Sequence, residues 1–227
     1  MTTGDIQTAT SHAPPRLRMS YEEYYAWADE DIHAEWVDGE VIVHMPPFDI
    51  HQTLLNFLNR LLAEYVEFEA LGVVFIAPFE MRLLAQKSAR QPDILVVKSE
   101  NLARLSRERL EGPADLVVEI ISGDSVRRDR QEKYREYQAA GVREYWVIDS
   151  RPGRNRADFY QLDEQGQYVL VGTEDDEWVE SAVLPGFRLR PSWLWQENFP
   201  SARLALFEIF SPEQRERYRQ SLLGFDS

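Results

Sequence analysis

Hydrophobic positions along the chain follow two rhythms, and each predicts a different kind of element. Between residues 50 and 70, Leu54, Leu55, Leu58, Leu61, Leu62 and Tyr65 recur at helical spacing, with Gly72 just beyond. That pattern reads as an amphipathic helix with a glycine stop. Ile94–Val97 and Leu116–Ile121 are short, continuous, β-branched runs, which suit strands buried on both faces. Glu144–Ile148 is a third strand of this kind, while Val73–Ile76 and Phe79–Leu84 read as strands broken at Pro78. Ala34–Val37 and Glu40–Val43 flank Asp38-Gly39, a strong short-range hairpin signal.

The polar punctuation is equally specific. Ser20-Tyr21-Glu22-Glu23 is a capping box that opens a helix. Residues 126–140 form a charged helix closed by Gly141, and Asp158–Leu162 with Gln167–Val171 form a hairpin around Gln165-Gly166. Residues 201–210 and 212–223 read as two short helices, the second opened by Ser211-Pro212-Glu213. Residues 1–18 are polar and Pro-containing and are expected to be a disordered tail. The expected organisation is therefore a tail (1–18), a main domain (19–190) and a C-terminal helical extension (191–227).

Composition narrows the function classes. The chain has 227 residues, enough for one large domain, and no cysteine, which excludes disulfides, thiolate metal sites and cysteine nucleophiles. Its net charge is −14, so a basic footprint over the whole surface is absent, although a local basic groove remains open. No apolar run approaches the ~18 residues of a membrane helix, and a soluble cytoplasmic protein is the expectation. Of 25 basic residues only Lys87, Lys98 and Lys133 are lysines. That singles them out, because a lysine can give up its proton and an arginine cannot.

Two acids sit against the hydrophobic pattern. Asp93 stands at the mouth of one buried strand and Glu119 inside the next. Desolvating a carboxylate is costly, so each needs a compensating partner. An arginine at a strand end would serve, and so would Mg²⁺, which takes a few carboxylate oxygens together with water and phosphate.

These residues belong to a longer ordered pattern. It runs through Glu35-Trp36-Val37-Asp38-Gly39-Glu40, Pro92-Asp93-Ile94-Leu95-Val96-Val97 and Leu116-Val117-Val118-Glu119-Ile120-Ile121-Ser122. Asp129, Lys133 and Tyr137 follow, then Gly141-Val142-Arg143-Glu144-Tyr145-Trp146-Val147-Ile148-Asp149. The whole resembles the Uma2 family of the PD-(D/E)XK nuclease superfamily over about residues 19–170. The resemblance implies an α/β fold of the α+β, mixed-sheet kind. Its restriction-endonuclease-like core would be a central mixed β-sheet flanked by helices, here with a C-terminal β/helical extension.

The resemblance also implies a site. Asp93, Glu119 and the carbonyl of Ile120 would hold Mg²⁺, with Mn²⁺ accepted in its place. The superfamily's usual lysine would fall at position 121, which is Ile, and Lys133 on the following helix takes that place. Glu35 matches the family's first acid and would serve a second metal or a water. His51 resembles a histidine near phosphate or water. The implied activity is endonucleolytic hydrolysis of phosphodiesters, with DNA as partner and products bearing 5′-phosphate and 3′-hydroxyl ends.

Plainer readings stay open beside this one. Asp129 and Lys133 are i,i+4 and could bridge on a solvated helix face. Glu35 could be a surface acid and His51 a structural histidine. Arg127 and Arg128 head a basic segment suited to phosphate contact, or to an ordinary solvated face. A non-catalytic binding or assembly protein that keeps the fold is the alternative function, and an enzyme of another phosphate ester is a third. The aromatic-rich extension offers a two-fold surface for a homodimer.

Overall fold

The computed structural model describes residues 17–28, 32–44, 49–122 and 125–224. Most of the expected N-terminal tail, residues 1–16, lies outside them. Leu17–Arg18 (β1) instead pair with the third strand. The chain then forms α1 (Tyr21–Trp27), β2 (Ala34–Val37) and β3 (Glu40–Val43). The Ser20 hydroxyl accepts from the Glu23 amide and the Glu23 carboxylate accepts from the Ser20 amide, closing the capping box at α1. Asp38 and Gly39 both take positive φ, 45° and 85°, as a two-residue hairpin demands.

The long helix is α2 (Asp49–Phe68), followed by β4 (Gly72–Ile76) and β5 (Glu80–Leu83). Gly72 does not stop the helix. The left-handed stop is Ala70 at φ 52°, with the Leu71 amide bonded back to the Val66 carbonyl. Gly72 is needed one step later, because a Cβ there would lie 2.1 Å from the carbonyl oxygen of Val97 on the neighbouring strand.

Next come β6 (Ser88–Arg90), β7 (Ile94–Lys98), β8 (Arg109–Glu111) and β9 (Leu116–Ile120). A wide π-helical turn (Arg128–Lys133) runs into α3 (Tyr134–Ala140), which Gly141 ends at φ 86°. The remaining elements are β10 (Glu144–Asp149), β11 (Arg156–Leu162), β12 (Tyr168–Thr173), β13 (Val179–Glu180), β14 (Arg188–Leu189), α4 (Ala202–Ile209) and α5 (Pro212–Leu223).

The expected mixed sheet is present in the order β12-β11-β10-β9-β7-β4, with β9 and β10 parallel. A second six-stranded sheet, β1-β3-β2-β6-β5-β8, accompanies it. Its additional strands are two or three residues long and largely polar, so periodicity could not announce them. Ile94, Val96, Leu116, Val118, Trp146 and Ile148 face one core with α2 and α4. The alternate residues Leu95, Val97, Val117, Tyr145 and Val147 face a second core with Tyr137 of α3 and Met81 and Leu83 of the second sheet. The C-terminal extension packs into the first core. Glu144 fastens the segment that leads to it by accepting from the Ser181 hydroxyl and the amides of Ala182 and Val183. No helix among the described residues is long and apolar enough to cross a membrane.

Candidate active site

The register of the main sheet brings the acids together. Ile94 of β7 pairs antiparallel with Val118 of β9, so Asp93, one residue earlier, lies beside Glu119. Glu119 shares a face with Val117 and Ile121, and that face looks toward the π-helical turn. Asp93 is held by its own sheet: its Oδ2 accepts from the Ile120 amide at 2.7 Å. From the first turn of α2, His51 brings Nε2 to 3.3 Å from Asp93 Oδ1.

The turn after β9 delivers the cation. Lys133 Nζ lies 2.8 Å from Glu119 Oε1, 3.1 Å from Glu35 Oε1 and 3.5 Å from Asp129 Oδ1. Lys133 is 3% exposed and Asp129 2%, so the i,i+4 pair is not on a solvated face. The wide turn points both side chains inward, and the Tyr145 hydroxyl holds it by donating to the Asp129 carbonyl at 2.9 Å. The Tyr137 hydroxyl donates to Glu119 Oε1 at 2.8 Å.

Glu35 is wholly buried and is not a surface acid. Its oxygens face Lys133, the Arg90 guanidinium at 3.1 Å, the Gln91 amide at 3.2 Å and His44 Nε2 at 3.3 Å. Arg90 is itself pinned by Glu136 of α3. Glu35 therefore stands behind Lys133, ties it to the second sheet and is absent from the cavity wall.

Four carboxyl groups thus share one buried region with Lys133, Arg90 and three imidazoles. Burial alone would raise the Glu35 carboxyl, but Lys133 and Arg90 outweigh it and hold it well below the ordinary range. Glu119 goes the other way. Burial pushes it up to about 8, and the nearby Asp129, Asp93 and Glu35 charges add to this against the pull of Lys133. Burial also raises Asp129. The three carboxylates around Lys133 overcome its own desolvation and raise its pKa, so it is a fixed ammonium at any working pH.

The group opens onto a cavity of about 350 Å³. Asp93, Glu119, Ile120, Arg128, Asp129 and Lys133 line it, together with His33, His44 and His51. Three of the chain's four histidines meet here. Arg127 is turned away: its side chain is 82% exposed and lies 3.5 Å from Glu132.

The structure therefore gathers Asp93, Glu119, Ile120, Lys133, His51 and Arg128 at one cavity, places Glu35 behind it and sends Arg127 to solvent. Sequence reasoning missed Arg90, His33 and His44. The histidines bracket the hairpin as the next cross-strand neighbours, His44 N donating to His33 O at 2.9 Å, and that symmetry was readable around Asp38-Gly39. Nothing in the sequence marks Arg90 as buried.

A mixed sheet with acids at neighbouring strand ends, covered by helices on either side, is the restriction-endonuclease-like class of α/β fold. The model of the Uma2 family, described as "Putative restriction endonuclease", matches residues 21–192, and the chain belongs to that family. Among solved structures, a protein of Anabaena variabilis described as a "putative nuclease belonging to DUF820" is similar in fold. The TM-score is 0.64 at 15% identity, covering 78% of this chain and 97% of that one. Comparison with curated proteins gives no match.

Proposed function

We propose that the protein is a divalent-metal-dependent nuclease that hydrolyses phosphodiester bonds, with DNA as its substrate. The observation that carries this reading is the buried carboxyl excess around Lys133, with Glu119 pushed up to about 8. Burial is the main cause of that rise and the surrounding Asp129, Asp93 and Glu35 charges add to it, so a further cation placed among these oxygens would be stabilised.

Among the described residues no three or more His, Asp or Glu side chains are arranged to hold a metal ion. Mg²⁺ does not require such a cage. It keeps several waters and uses one or two carboxylates plus phosphate oxygens. Asp93, Glu119 and Ile120 all line the cavity, and the two carboxylates with the Ile120 carbonyl would supply that hard-oxygen set. When bound, the cation supplies Lewis-acid stabilisation of charge on the phosphate and a lowered pKa for water at that position.

The protein's own groups do the rest. The Ile120 amide and His51 hold the Asp93 carboxylate in place, and Tyr137 orients Glu119. Lys133, permanently charged, stabilises negative charge developing on the phosphate and orients water through its donors. It does not act as the base, because three carboxylates hold its proton. Glu35 is a positioning residue for Lys133. Arg128, which lines the cavity, would contact a flanking phosphate.

Titration calorimetry with Mn²⁺ tests the metal reading. Binding to the wild type and its loss in Asp93→Asn, which keeps an acceptor for the Ile120 amide, is expected. Equal binding by both proteins would remove Asp93 from the site.

A further inference from the structure

The cavity has an apolar lip. Ile76 and Pro78, at the turn between β4 and β5, are both exposed, Ile76 at 41%, and both line the catalytic cavity. The same two residues also line a neighbouring depression of about 480 Å³. They form a ridge with the carboxylates on one side and an apolar tray on the other. Phe75 and Phe79 line the tray, their rings stacked with centroids 4.0 Å apart at 10°. Asn59 is its polar edge, and Glu108, which accepts from the Tyr25 hydroxyl, is the one charged residue among the described residues that line it.

We propose that this tray receives the face of an unpaired nucleobase, so that the substrate is single-stranded DNA. This rests on the nuclease reading above and names the substrate of that same site. Three observations favour this occupant. Ile76 and Pro78 line both depressions, so the tray adjoins the cavity proposed to take the phosphate. The tray carries an acid and no base, which repels phosphate and leaves the uncharged face of a base as the matching part. Aromatic surfaces stack on unpaired bases without regard to sequence.

An intact duplex would gain little from such a surface, because its bases already stack on one another. It also presents about one charge per 1.7 Å, against one per 3.4 Å for a single strand. A protein of net charge −14 therefore repels it more strongly.

The test is Mg²⁺-dependent cleavage by the full-length protein of end-labelled single-stranded DNA, of its blunt duplex, and of single strands carrying one abasic position moved stepwise. The single strand is expected to be cut faster than the duplex. An abasic position next to the cut is expected to slow cleavage roughly tenfold, the size of one missing base stack. Ile76→Ser, at an exposed position of the ridge, is expected to slow cleavage of the intact single strand by a similar factor and to slow cleavage of the abasic strand less. A flat abasic profile, or a duplex cut as fast as the single strand, overturns this inference and leaves the nuclease reading standing. No cleavage of any of the three overturns the nuclease reading and this inference with it.

Discussion

Replacing Lys133 by Met removes an ammonium from among three carboxylates while keeping the length and apolar stem of the side chain. It deletes the ion pairs with Glu119 at 2.8 Å, Glu35 at 3.1 Å and Asp129 at 3.5 Å, all in a region where Lys133 is 3% exposed. Breaking a buried ion pair by deleting one partner typically costs about 3–5 kcal/mol, because the other charge is left desolvated and unpaired. For a domain of this size that corresponds to a fall in Tm of roughly 10 °C. The sign with pH follows from the shifts. The Lys133 pKa is raised in the folded state, so its stabilisation is fully present below the ordinary lysine value and covers the whole range from about pH 5 to 9. In the variant, Glu119 loses its cation, and its pKa moves still further above about 8. At pH 5.5 the acids take up protons and relieve the cost, whereas at pH 8.5 they cannot do so fully. Urea denaturation at both values is expected to show the larger loss at pH 8.5. A loss of about 0.5 kcal/mol or less at both, the size for an exposed pair, would refute the argument from burial.

Tyr137→Phe deletes the donor to Glu119 and is expected to cost about 1–3 kcal/mol by urea denaturation, as for a buried acceptor left without its donor. Arg128→Glu should weaken DNA binding and flatten its salt dependence, while Arg127→Glu should change neither at physiological salt, since only Arg128 reaches the cavity. Fluorescence anisotropy against salt concentration compares them, and equal effects would contradict this division. Mn²⁺ affinity should rise with pH up to about 8 and then level off, because Glu119 must lose its proton to serve as a ligand. Calorimetry showing no pH dependence between 6 and 8 would contradict it.

Much of the main sheet was legible because its strands, buried on both faces, write themselves as apolar runs, and the acids stand out against that background. Asp93, Glu119 and Lys133 could each be singled out, yet their meeting could not be derived from spacing. It depends on the β7–β9 register and on a π-helical turn that spacing alone does not distinguish from an α-helix. Glu35 was visible but its role was not. Its position behind Lys133 depends on Arg90, which sits on a three-residue polar strand of the second sheet. That sheet joins β1, β3, β2, β6, β5 and β8 from scattered stretches of chain, so its pairing is a tertiary property with no local signature. Gly72 shows the same limit: its position suggested a helix stop, whereas its use is the close approach to Val97.

The central claim is that Asp93, Glu119 and Lys133 form a metal-dependent phosphodiesterase. Single-turnover cleavage of labelled DNA, single-stranded and duplex, with Mg²⁺, with Mn²⁺ and with chelator, tests it in the wild type, Asp93→Asn and Lys133→Met. Metal-dependent cleavage by the wild type is predicted, abolished in Asp93→Asn through loss of the ion and in Lys133→Met even at a Mn²⁺ concentration that saturates the variant. A wild type inert on every DNA with either ion, or cleavage that persists unchanged in Asp93→Asn, would contradict it.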